Sequence, residues 1–244
     1  MGRARAQTRR GAVIEAVFFD AGETLLRPHP SFAELFATIC TESDSPVTPD
    51  EVRGVQERLA PHLVDLAEDT GVRNPTFSDE GSRTFWTFLY RRFLEELGLA
   101  GRGLEDALYE RFSDSSSYML FDDVLPALDA MARDHRLGLI SNFEGWLEER
   151  LVELDVGPRF EVTVISGVEL IEKPDPGIYE LALRRMGSPA ERCAHVGDSI
   201  KLDVEPAMAL GMHPVLLDRA DRYADPPCPK ITTLEDLPRL VASL

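Results

Sequence analysis

Five short apolar runs, separated by stretches of helical periodicity, constrain the fold of this chain more than any other feature. They are Val13–Phe19, Leu137–Ile140, Val162–Ile165, Cys193–Val196 and Pro214–Leu217. Each is short enough for a buried strand. Between the later runs, apolar residues recur on single helical faces: Val124, Leu125, Leu128 and Met131, then Leu147, Leu151 and Leu154, then Ile178, Leu181 and Ala182. Strands alternating with helices predict an α/β fold, a Rossmann-like parallel sheet core with helices on both faces.

Local signals agree with these boundaries. Asp175 can cap a helix whose first residue is Pro176, and Pro126 falls in the first turn after Asp122 and Asp123. Gly211 follows Ala207–Leu210, where a left-handed helix end favours glycine. Residues 28–112 break the alternation. Val52, Val55, Gln56 and Leu59, and later Phe85, Phe88, Leu89 and Phe93, have helical spacing with no strand pattern between them. The expected organisation is a basic tail over 1–11, a core from 12–27 and 113–244, and an α-helical cap domain over 28–112. Trp86 and Tyr90 are expected to pack within the cap's own core.

The 244 residues are enough to bury a substantial interior. With 43 acidic against 26 basic residues the formal charge is -17, which repels polyanions and argues against nucleic acid as a partner. An anionic substrate then needs a local site of opposite sign. Cys40, Cys193 and Cys228 lie far apart with no CxxC spacing, so neither a zinc site nor a disulfide framework is expected, and a reduced, cytoplasmic setting fits. Arg3, Arg5, Arg9 and Arg10 precede an apolar run that Glu15 interrupts and that is too short for a membrane span.

In an open parallel sheet, ligands bind at the carboxyl ends of the strands. Four polar clusters fall there: Asp20-Ala21-Gly22-Glu23-Thr24, Ser141-Asn142, Lys173-Pro174-Asp175-Pro176, and Gly197-Asp198-Ser199 with Asp203. In this order they resemble the haloacid dehalogenase-like (HAD) hydrolase superfamily, whose four motifs are an aspartate nucleophile loop, a Ser or Thr, a Lys, and an acidic metal loop. The resemblance spans residues 13–27 and 113–244, and the insertion matches in position and helical character.

That resemblance implies specific roles. Asp20 would be the nucleophile attacking phosphorus, Ser141 a donor to the phosphoryl oxygens, and Lys173 the charge that steadies both. Asn142 would be a neighbouring donor to the substrate. Magnesium would be held by Asp20, Asp198, Asp203 and the main-chain carbonyl of Gly22. A carboxylate suits this chemistry because a covalent intermediate splits one difficult displacement into two easier ones. Phosphoryl transfer is otherwise a matter of alignment and neutralised oxygen charge, which a lysine, a hydroxyl and magnesium supply.

The common phosphatase pattern has a second aspartate, the acid/base, where this chain has Gly22. The expected function is therefore a magnesium-dependent phosphatase for a small phosphorylated metabolite, working through an aspartyl-phosphate with that acid/base replaced by Gly22. Loss of such a group typically costs about 10²- to 10⁴-fold in rate. A noncatalytic or regulatory binding protein is the alternative, with a haloacid dehalogenase behind it. Alternation along an extended stretch would turn Glu23 away from the site. Phosphonate cleavage is disfavoured, since the lysines are Lys173, Lys201 and Lys230 and none lies in the cap. His195 is expected to be structural and His29 an exposed linker residue.

Overall fold

The computed structural model describes residues 13–62, 66 and 69–244. The basic tail expected over 1–11 lies outside the described residues. The first strand, β1 (Ala16–Phe19), is buried along its whole length. It is followed by β2 (Leu26–Pro28), and then, among the described residues, by the helices α1 (Phe32–Glu42), α2 (Pro49–Leu59), α3 (Asp79–Glu96) and α4 (Glu105–Phe112). The chain returns through β3 (Tyr118–Leu120), which pairs antiparallel with β2 so that Leu26 faces Leu120 and Pro28 faces Tyr118. One two-stranded ribbon thus carries the chain out of the core and back.

Beyond the ribbon, strands and helices alternate as the sequence predicts. They are α5 (Val124–Met131), β4 (Arg136–Ser141), α6 (Leu147–Glu153), β5 (Val162–Ile165), α7 (Ser166–Glu169), α8 (Pro176–Met186), β6 (Cys193–Gly197), α9 (Glu205–Ala209), β7 (His213–Leu217), β8 (Lys230–Ile231) and α10 (Leu237–Val241). The sheet runs β5-β4-β1-β6-β7-β8, and every pairing is parallel. β1 sits between β4 and β6, with Phe19 opposite Leu139 on one side and Val196 on the other.

Successive side chains of β1 point to opposite faces. Val17 and Phe19 pack with Leu128, Leu139, Leu151 and Val215, while Ala16 and Phe18 pack with Ile140, Val164, Ile178 and Tyr179. Burial of each large apolar side chain stabilises by about 1.5–3 kcal/mol, so the two faces together anchor β1 at the centre. Asp175 caps α8 by accepting from the Gly177 amide at 2.7 Å, and Gly211 takes φ +80° after α9, both as expected. Asp123 does not cap α5. Its carboxylate instead takes a two-pronged hydrogen bond from Arg219, with further bonds from the Thr233 hydroxyl and the Leu234 amide.

The inserted helices form a cap with its own interior. Ser31, Thr48 and Ser78 each accept an amide at a helix start, and Thr48 forms a reciprocal capping box with Glu51. Phe36, Ile39, Val52, Val55, Tyr90, Phe93, Leu108 and Phe112 close into one apolar cluster. Tyr90 is buried there, whereas Trp86 lies at its margin, 37% exposed and stacked on Tyr90.

Candidate active site

Three adjacent strands end at one edge of the sheet. β1 is followed by Asp20, β4 ends on Ser141, and β6 ends on Gly197 just before Asp198. The Asp20 amide still bonds the Val196 carbonyl at 2.9 Å, so the nucleophile loop leaves the sheet under restraint. Lys173 comes from the loop between α7 and α8 and reaches the same point. Asn142 fixes that loop: its side-chain nitrogen donates to the Lys173 carbonyl at 2.8 Å, and its oxygen accepts the Lys173 amide at 2.7 Å. Expected as a donor to the substrate, Asn142 spends these two groups on the Lys173 backbone.

The Lys173 ammonium donates to Asp20 Oδ1 and to Asp203 Oδ1, both at 2.7 Å. Ser141 Oγ donates to the same Asp20 oxygen at 2.9 Å. Asp203 also meets His195 Nε2 at 3.0 Å and accepts the Ser199 amide through Oδ2 at 3.0 Å. Lys173, Asp203, Ser141 and His195 are all buried. His195 therefore braces Asp203 from the strand below through Nε2, while its Nδ1 is buried with no hydrogen-bond partner among the described residues.

Asp20, Asp198 and Asp203 each present a carboxylate oxygen within 4.8 Å of the others. Three carboxylates face one ammonium, an excess of two negative charges in a buried place. The side chain of Asp198 has no hydrogen bond or ion pair among the described residues. Burial, then the charges of Asp203 and Asp20, push the Asp198 carboxyl well above the ordinary range. Burial likewise raises Asp20, and Lys173 offsets this only in part. Burial opposes both partners of the remaining pair, yet their mutual attraction wins: Asp203 is held well below the ordinary range and Lys173 above its own. A divalent cation such as magnesium, which prefers a few carboxylates with retained water, matches both the donor set and the missing charge.

These carboxylates correct the functional reading that a glycine substitution defines the site. The metal centre is aspartate-based, Asp20 with Asp198 and Asp203, and its carboxylates come from two separate segments of the chain. A glycine two residues beyond Asp20 subtracts none of them. Gly22 itself bridges to Leu26, and a methyl group added there would meet only Phe143, at 3.7 Å. The extended alternation expected to turn Glu23 aside also fails, because Glu23 sits in the left-handed region with φ +53°. Its side chain opens instead onto a cavity shared with Arg27 and the cap.

Two further groups were missed from sequence. Thr76, in the short helical turn Pro75–Phe77 before α3, meets Ser166 Oγ at 2.6 Å across the boundary between insertion and core. Ser166 also accepts the Phe143 amide at 3.0 Å, beside Asn142. Glu172, next to Lys173, is pushed up to about 7 by burial, and its Oε2 has no hydrogen-bond partner among the described residues.

Sheet, insertion and carboxylate centre together define a class, hydrolases that work with a divalent metal on a Rossmann-like core. The chain belongs to the haloacid dehalogenase-like hydrolase family, which it matches over residues 14–211. It is 28% identical over 234 residues to haloacid dehalogenase-like hydrolase domain-containing protein 3 of Danio rerio, covering 92% of this chain and 95% of that one. It is 33% identical over 140 residues to a phosphoserine phosphatase of Thermus thermophilus, covering 57% of this chain and 56% of that one. Its fold is similar to that of the HAD-hydrolase YfnB of Bacillus subtilis bound to magnesium, with TM-score 0.72 and 19% identity over 94% of this chain and 99% of that one. Among the described residues, no helix is long and apolar enough to cross a membrane.

Proposed function

We propose that this chain is a magnesium-dependent phosphatase of small phosphorylated metabolites in which Asp20 is the nucleophile. The observation that carries this is the arrangement around Asp20. Lys173 and Ser141 both bond Oδ1 at 2.7 and 2.9 Å, while Oδ2 has no hydrogen-bond partner among the described residues. One oxygen is fixed and the other is free to attack. The Oδ2 lone pair would form a bond to phosphorus as the ester P–O bond breaks and the alcohol leaves, taking a proton from water. A water oxygen would then bond phosphorus as the Oδ2–P bond breaks, releasing phosphate and restoring the carboxylate. Lys173 and Ser141 stand where they can donate to the phosphoryl oxygens as charge develops.

Asp20, Asp198 and Asp203, with the Gly22 carbonyl, would hold the metal. When bound, magnesium supplies positive charge that neutralises phosphoryl oxygens and aligns them. Asp203 keeps Lys173 ionised and in place. The relative named phosphoserine phosphatase supports an ester of phosphate as substrate. Within this reading, residues 28–112 are the cap that covers the site, on a core of 12–27 and 113–244. The acidic surface and the free cysteines support a small-molecule enzyme of the cytoplasm rather than a nucleic-acid binder.

The test is hydrolysis of p-nitrophenyl phosphate with and without magnesium. Asp20→Asn preserves shape and should abolish turnover, a loss of more than about 10³-fold. Turnover that persists in folded Asp20→Asn would refute the assignment.

A further inference from the structure

Beside the nucleophile loop lies a cavity of about 160 Å³, lined from the core by Glu23, Arg27 and Phe121 and from the cap by the start of α1, Arg53 and Gln56. Only Ala21 and Gly22 separate Glu23 from Asp20 in the nucleophile loop, and the charge of Asp20 reaches the Glu23 carboxyl. The nucleophile loop itself therefore forms part of the cavity wall. The cavity contains two opposite charges that leave each other unpaired.

Among the described residues, the Glu23 carboxylate has no hydrogen bond and no ion pair. Arg27 has neither as well; its guanidinium lies 5.2 Å from the Phe121 ring centroid, and its Nε is buried without a partner. A buried polar group left unsatisfied typically costs about 1–3 kcal/mol. Arg219 covers the same Phe121 ring at 3.8 Å, but its charge is spent on Asp123. Arg53 is tied to Asp50 at 2.7 Å on the exposed side of α2. Among the described residues, Arg27 and Glu23 are thus the two charges lining the cavity that form no hydrogen bond or ion pair, although the charges of Arg219 and Arg222 also reach Glu23.

We infer that this cavity receives the uncleaved end of the substrate and that this end is zwitterionic, an ammonium against Glu23 and a carboxylate against Arg27, as in the phosphate ester of an amino acid. The inference rests on the phosphatase reading and deepens it. A ligand with both charges satisfies both groups at once. An ester with a neutral tail would leave both unpaired, and an anionic tail would satisfy Arg27 while facing Glu23. Phe32 and Phe121 give the carbon chain between the charges an apolar wall.

Kinetics of the full chain in magnesium test this with four phosphomonoesters differing in tail charge. They are O-phosphoserine with both charges, 3-phosphoglycerate with the carboxylate, phosphoethanolamine with the ammonium, and glycerol 3-phosphate with neither. O-phosphoserine should exceed glycerol 3-phosphate in kcat/KM by at least about tenfold. Arg27→Gln should cost about 10- to 100-fold on the two carboxylate esters and under about threefold on the others, the scale of a lost charged hydrogen bond. Glu23→Gln should do the same to the two ammonium esters.

Melting temperatures identify any variant that fails to fold, and Arg27→Lys, which keeps the charge, should retain part of the preference. Equal rates on all four esters, or a best substrate with one charge, would overturn the inference while Asp20-dependent hydrolysis of p-nitrophenyl phosphate left the phosphatase reading standing. If no ester is turned over, that reading falls, and calorimetric binding of the four esters decides the cavity alone. O-phosphoserine tightest by about tenfold supports it, and equal affinities overturn it.

Discussion

Replacing Gly197 by Ala should unfasten the lysine at the heart of the site without substituting any residue that bonds it. A methyl group at Gly197 would lie 2.2 Å from Asp203 Cγ, 2.4 Å from its Oδ2 and 2.6 Å from its Cβ. Asp203 must therefore retreat, yet its carboxylate holds Lys173, His195 and the Ser199 amide. Overpacking alone costs about 1–3 kcal/mol. Removing one partner of a buried charge pair costs about 3–5 kcal/mol, because the other charge stays buried. The expected loss is about 3–5 kcal/mol, or roughly 10 °C in melting temperature for a chain of this size. Urea denaturation followed by circular dichroism measures it. Gly145→Ala is the control, since its methyl would meet only Val168 at an ordinary 3.7 Å. The two changes Gly197→Ala and Asp203→Ala should also be far from additive, since the second removes what the first collides with. A loss under about 1 kcal/mol, or full additivity with Asp203→Ala, would refute this account of the centre.

Magnesium at about 100 times its Kd should stabilise the chain by roughly 2.7 kcal/mol through linkage, and Asp198→Asn should remove that gain. Without metal, Asp198→Asn should melt no lower than the parent at pH 8, because burial and two neighbouring carboxylates disfavour the charge it deletes; a lower value would count against the charge excess. Glu172 offers a pH test. Its folded-state value of about 7 lies above the ordinary 4.5, so its contribution to stability is fully present below pH 4.5 and is lost as pH rises through 7. Glu172→Gln should therefore match the parent near pH 5 and exceed it at pH 8, by about 1–2 kcal/mol after allowance for solvent screening. A Gln variant less stable than the parent at pH 8 would show that the carboxyl is not strained by burial.

The core was legible because buried parallel strands are written as contiguous apolar runs, and their ends expose the residues that act. Val13–Phe19 leads directly to Asp20, and Leu137–Ile140 to Ser141. The cap was legible as helical spacing without strands, though its packing was not: periodicity marks both Trp86 and Tyr90 as apolar, and only the fold leaves one at the margin. The backbone at Glu23 was not legible, because alternation presumes an extended strand and a left-handed residue breaks that presumption with no glycine to announce it. Asn142 reads as a substrate donor from its place beside Ser141 in the motif, whereas its amide nitrogen and oxygen bond the Lys173 backbone. Gly22 drew attention as a departure in one motif. The carboxylates that hold the metal, in contrast, converge from segments more than 170 residues apart, which pattern reading along one motif does not weigh.

The ribbon of β2 and β3 gives the chain a different kind of property. Pro28 and Tyr118 stand opposite one another, so everything between them is bounded by two points already in register. A tight turn joining those points would close the ribbon as an ordinary hairpin and leave each strand of the large sheet in its place. The segment between is, in effect, a cassette with a built-in splice junction. Lineages could lengthen it, trade it or discard it at this seam while the catalytic scaffold kept its connectivity, and a protein engineer could cut at the same place.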